Sequence, residues 1–95
     1  MARYVLKYGG TSVADAKRLY AAARTMAVLR REGHEVVAVL SAQGASTDAL
    51  IARAREIDPD CGGRELDQLL STGEICSVSL CAMALHRLGL RAVSL

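Results

Sequence analysis

The residues best placed to do chemistry are Lys7-Tyr8-Gly9-Gly10-Thr11-Ser12. They follow the apolar run Tyr4-Val5-Leu6 and lead into an amphipathic segment that starts near Asp15. The order predicts a strand, a tight glycine turn and a helix. Adjacent glycines let a backbone take angles closed to other residues and approach a ligand closely. The N–H groups of such a turn, backed by a helix start, form a site for phosphate. Lys7 adds a mobile positive charge at the strand end. Phosphoryl transfer depends mainly on positioning and on positive charge against the phosphoryl oxygens, and this stretch offers both. The lysine precedes the glycines, so the stretch is not a P-loop. No third glycine completes a dinucleotide-binding fingerprint.

Three more side chains are candidates. Ser41 opens a small polar loop that ends at Ser46. Thr47 reads as a helix N-cap, and a capping hydroxyl can also face a ligand at the same helix end. Glu74 follows Gly73 and reads as a first-turn acid of an apolar helix, able to pair with a substrate ammonium. His34 and His86 lack ligand-spaced partners and read as surface or helix-end residues. Glu65 and Asp67 are two apart, so a helix would not put them on one face as a carboxylate pair. No protein metal site is expected.

These residues need a frame. Residues 2–8 read as a strand. Over residues 13–31, Val13, Ala16, Tyr20, Ala23 and Ala27 step by three and four, which is helical spacing. Gly33 ends that helix, with Arg30 and Arg31 in its last turn. Residues 35–40 form a continuous apolar run rich in β-branched residues, expected to be a strand buried on both faces. A helix opened by Thr47 runs to about Glu56, and Asp58-Pro59-Asp60-Cys61-Gly62-Gly63 breaks the chain. Residues 64–70 read as helical, residues 71–74 as an interruption, and residues 75–88 as a second helix with Leu80 and Met83 in the core. Residues 90–95 open a third strand. The alternation predicts an α/β fold with a mainly parallel sheet, flanking helices and right-handed crossovers. Ligands in such sheets bind beyond the carboxyl ends of the strands. The Gly9–Gly10 turn and the Ser41 loop should therefore share one rim.

Composition narrows the function. The chain has 95 residues, is 52% apolar and has no Trp or Phe. That suits one small domain or part of one. A net charge of +2 is too mild to argue for nucleic acid or an anionic membrane. Cys61, Cys76 and Cys81 are odd in number and have no C-x-x-C spacing, which suggests buried thiols in a reducing cytoplasm. The most apolar stretch, residues 75–85, is too short to span a bilayer.

Taken together, Lys7-Tyr8-Gly9-Gly10-Thr11-Ser12, Val39-Leu40-Ser41-Ala42, Arg64-Glu65-Leu66-Asp67 and Ser71-Thr72-Gly73-Glu74 resemble the start of an aspartate kinase, in order and spacing. The resemblance covers Met1 to Leu95 and only the early part of that family's catalytic domain. It implies the amino-acid-kinase fold, incomplete here, and ATP-dependent phosphorylation of the β-carboxylate of L-aspartate, with Mg2+ carried on the nucleotide. By the same resemblance, Lys7 contacts the transferring phosphoryl group. Tyr8, Gly9, Gly10 and Ser41 belong to the nucleotide phosphate region. Thr47 contacts aspartate, and Glu74 contacts the substrate ammonium. The resemblance also implies a cytoplasmic enzyme, homo-oligomeric at full length. Gln43 and Asp48 depart from the family's Ser-Ala-Met loop and its Asn after the threonine, and Asp48 adds negative charge beside a dicarboxylate site. Two rivals stand beside this reading. One is a kinase of the same fold acting on glutamate, acetylglutamate or a nucleoside monophosphate. The other is a non-catalytic segment that pairs with a second polypeptide. The 95-residue chain alone is expected to be inactive.

Overall fold

A computed structural model describes all residues, Met1–Leu95. Two parallel strands, β1 (Arg3–Tyr8) and β2 (Glu35–Leu40), form the sheet, with Arg3 opposite Glu35 and Tyr8 opposite Leu40. A 3-10 turn over Gly10–Val13 leads from β1 into α1 (Ala16–Arg31), which crosses back to β2. Two helices follow, α2 (Ser46–Ile57) and α3 (Gly63–Arg87). The expected α/β class and parallel pairing are present.

The core lies between one face of the sheet and helices α1 and α3. Side chains alternate along a strand. Leu6, Tyr8, Val36, Ala38 and Leu40 therefore reach the cluster of Val13, Leu19, Ala22, Met26 and Cys81. Asp15 caps α1, its carboxylate accepting from the Arg18 N–H at 2.9 Å. The buried stripe of α1 is Leu19, Ala22, Ala23, Met26 and Ala27. Val13, Ala23 and Ala27 are buried as expected, whereas Ala16 is exposed and Tyr20 is half-buried. Helical spacing alone fits either set, and the bulkier Leu19 and Met26 take the inward side.

Four further expectations are corrected. The opposite sheet face is bare: Val5 is 67% exposed, and Val37 and Val39 are each 49% exposed. β2 is therefore not buried on both faces. Residues 71–74 do not interrupt a helix. α3 runs unbroken through Gly73, which is buried against Ala42, and Ser71 and Thr72 turn their hydroxyls back to the Gln68 and Leu69 carbonyls at 2.7 Å. Residues 90–95 form no strand, since β1 pairs only with β2. Leu80 and Met83 are exposed, while Ser77, Cys81 and Ala84 form the inward face of α3.

α3 fixes the long axis of the molecule. Its middle, at Gly73, lies against Ala42 just past the end of β2. Its far end receives the Arg31 guanidinium, which donates to the Leu88 carbonyl at 2.9 Å. The first turns of α3 and the paired α2, which buries no residue, stand beyond the sheet as a helical hairpin. By length and composition alone α3 could cross a bilayer. Its Ser77, Cys81 and Ala84 are buried on the inward side, and most of its remaining surface is open.

Candidate active site

The carboxyl ends of the two strands carry the site. The Ser41 N–H donates to the Tyr8 carbonyl at 3.0 Å, extending the ladder one residue past β2. The Gly44 N–H donates to the Gly10 carbonyl at 3.0 Å, and the Gln43 side-chain Nε2 donates to the Val13 carbonyl at 3.0 Å. The glycine turn and the Ser41 loop thus share one rim, as expected from parallel strands.

Within the turn the two glycines act differently. Neither has a positive φ, so the special angles expected of them are not used; Gly9 is extended, at φ −77°. A Cβ on Gly10 would lie 2.8 Å from the Ala42 carbonyl oxygen, so Gly10 is needed for close packing. A Cβ on Gly9 would meet nothing within 4 Å. The space over Gly9 is open. The Ser12 N–H donates to the Gly9 carbonyl at 3.1 Å, whereas the Gly9 and Gly10 N–H groups have no acceptor in the chain. Open space above unpaired donors is what an incoming oxyanion needs.

Lys7 lies on the bare sheet face beside Val39, exposed and in no ion pair. Tyr8 points to the other face. Its ring packs on the core, and burial, then the neighbouring Cys81, pushes its phenol above the usual range. Burial likewise pushes the Cys81 thiol up. Ser41 is half-buried, and its hydroxyl makes no hydrogen bond within the chain.

Thr47 is not an N-cap. α2 begins one residue earlier, at Ser46, with Ala45 in the capping position and no side-chain cap. The Thr47 hydroxyl is thereby freed from the capping role in the first turn, next to exposed Asp48. Glu74 is not in a first turn either. It lies mid-helix in α3, exposed and unpaired, directly after buried Gly73. The strand ends thus carry Lys7, Gly9, Gly10 and Ser41, while Gly73, the residue before Glu74, packs against Ala42 of the same rim.

Sequence reasoning missed the supports. Gln43, read only as a departure from a family pattern, ties its loop to the 3-10 turn. Ala42 is buried at 7% exposure between that turn and α3. Of the three thiols only Cys81 is buried; Cys61 is half-buried and Cys76 exposed. His34 is more than a surface residue, since its Nδ1 accepts from the Ala2 N–H at 3.0 Å at the far end of the sheet.

A strand, glycine turn, helix and second parallel strand define an α/β domain with an open rim at its strand ends, and comparison with known proteins gives its family. Residues 2–95 match the model of the amino acid kinase family, and the chain belongs to that family. Its relatives include an aspartokinase of Thermus thermophilus, 47% identical over 97% of this chain, and one of Mycolicibacterium smegmatis, 46% identical over 99%. Aspartokinase 2 of Bacillus subtilis is 44% identical over 99% of the chain. A crystal structure of aspartate kinase from Synechocystis superimposes with a TM-score of 0.94 at 41% identity, over the whole of this chain and 16% of that one. The chain spans 22–23% of the length of these curated relatives.

Proposed function

We propose that this chain forms the phosphate-gripping part of an aspartate kinase active site. A β-carboxylate oxygen of L-aspartate attacks the γ-phosphorus of ATP. A new O–P bond forms, the bond to the ADP oxygen breaks, and ADP leaves with that electron pair. The Lys7 ammonium neutralises the phosphoryl oxygens, and the free N–H groups of Gly9 and Gly10 hold the nucleotide phosphates. The Ser41 hydroxyl lines the nucleotide side. The Thr47 hydroxyl faces the aspartate, and the Glu74 carboxylate takes its ammonium. No group of three His, Cys, Asp or Glu side chains is placed to hold a metal ion. In this proposal Mg2+ arrives with the nucleotide.

One observation carries the reading: the open space over Gly9, flanked by unpaired N–H groups and by an exposed, unpaired Lys7. The 44–47% identity to aspartokinases supports the choice of acceptor. Asp48 beside Thr47 favours a second reading, a relative acting on a different acceptor. The test grafts residues 1–95 onto the remainder of the Thermus thermophilus aspartokinase. The chimera is assayed on aspartate, glutamate, acetylglutamate and nucleoside monophosphates. Preference for aspartate is expected, and preference for another acceptor would replace it. The 95-residue chain alone is expected to give no measurable turnover, because it cannot exclude water from both substrates.

A further inference from the structure

Gly10, Ala42 and Gly73 come from three separate segments and meet in one stack. A Cβ on Gly10 would lie 2.8 Å from the Ala42 carbonyl oxygen, and a Cβ on Gly73 would lie 2.9 Å from the Ala42 Cβ. Both distances are shorter than packed atoms tolerate. The obstacles are a backbone oxygen and a methyl fixed to the backbone, so neither can swing aside. Gly73 is fully helical and has no positive φ. Glycine is disfavoured in a helix interior relative to alanine. Its presence midway along α3 therefore needs a reason, and the contact with Ala42 supplies one. Leu50 of α2 lies beside the same spot, 3.7 Å from that Cβ position.

The neighbours of Ala42 are tied down on both sides. Ser41 is bonded to Tyr8, Gln43 to Val13 and Gly44 to Gly10. A push on Ala42 from α3 therefore has to move the phosphate turn or break one of these bonds. Glu74 is the next residue along α3, so the same contact sets how far Glu74 stands from the turn.

We propose that the Gly10–Ala42–Gly73 stack is the spacer that registers the phosphate turn against Glu74, making Ala42 and Gly73 positioning residues for the site. The catalytic meaning of that register rests on the kinase reading above; the packing claim does not.

The test is a double-substitution cycle in the 95-residue chain with Gly73→Ala, Ala42→Gly and the pair. Gly73→Ala is expected to lower the melting temperature by about 5–15 °C through overpacking. It is also expected to shift the Gly10 and Gly44 amide resonances. On an Ala42→Gly background the same change should cost less than about 3 °C, because the opposing methyl is gone. The two amides should then stay where Ala42→Gly alone puts them. Additive losses, or a higher melting temperature from Gly73→Ala, would overturn the spacer. If Gly73→Ala does not fold, the pair decides: it must fold and melt within about 3 °C of Ala42→Gly alone. MgADP titration then tests positioning. Affinity should drop at least about fivefold in Gly73→Ala and recover in the pair. Where Gly73→Ala is unfolded, the pair must match Ala42→Gly. Equal affinity in folded Gly73→Ala and the parent chain overturns the positioning role while leaving the packing claim. No response in the parent chain contradicts nucleotide binding by the turn and, with it, the functional half of this proposal, while the family assignment stands.

Discussion

Gly9 and Gly10 are adjacent and chemically identical, yet they should respond in opposite ways. Gly10→Ala drives a methyl into the Ala42 carbonyl oxygen, and overpacking of this kind costs about 1–3 kcal/mol. Gly9→Ala adds a methyl to open space and takes an angle open to any residue, so thermal unfolding should change by less than about 0.5 kcal/mol. In the chimeric kinase, however, Gly9→Ala should raise KM for ATP, because the methyl occupies the approach to the free N–H groups. Lys7→Ala should lower kcat of the same chimera by about 100- to 1,000-fold while leaving its melting temperature unchanged, since Lys7 is exposed and unpaired. The sequence made the turn and the lysine legible, because strand, double glycine and helix follow one another directly. It hid the division of labour between the glycines, which depends on Ala42, more than thirty residues away. It also hid the opposite facing of Lys7 and Tyr8, although the period of two along a strand contained that information.

At the scale of elements, both strands, α1 and the α2 region lie near their sequence-based positions, since each has a strong apolar period and a glycine or proline boundary. α3 does not. Ser71-Thr72-Gly73 reads locally as a break, and tertiary packing outweighs that preference by burying Gly73 against Ala42. Amide hydrogen exchange should therefore show continuous protection through residues 71–74; a gap of fast exchange there would contradict a single helix. Tyr8 of β1 and Cys81 of α3 meet in the core beneath the site, each with its pKa raised by burial. The folded chain holds these protons more tightly than the unfolded chain. Their stabilisation is thus complete below the unfolded values and is lost as pH climbs through the thiol and phenol range, from roughly pH 8.5 upward. Melting temperature followed against pH should fall across that window. Cys81→Ala should remove the earlier part of the fall and reduce, without abolishing, the part due to Tyr8, because burial still holds its phenol pKa up.

The whole molecule is elongated, measuring 50 × 24 × 17 Å. Its radius of gyration is 15.2 Å, against roughly 12 Å for a compact chain of this length. The cause is the α2–α3 hairpin standing beyond a sheet of only two strands. Parallel sheets are ordinarily covered on both faces, whereas here Val5, Val37 and Val39 form a bare apolar strip beside Lys7. The sequence predicted a doubly buried β2 from its apolar run, and the run is consistent with a sheet that other segments cover in the longer relatives. Sedimentation of the isolated chain should accordingly show self-association through this strip or the open strand edges. Val5→Lys together with Val37→Lys should shift the chain toward monomer, and unchanged association would place the contact elsewhere. The central claim, that the glycine turn receives nucleotide phosphate, is tested most directly by titrating the labelled 95-residue chain with MgADP and following its amide resonances. The Gly9 and Gly10 amides should move first and furthest, and Gly9→Ala should abolish the response. Shifts confined to residues away from the turn, an unaltered response in Gly9→Ala, or no response at millimolar nucleotide would contradict it.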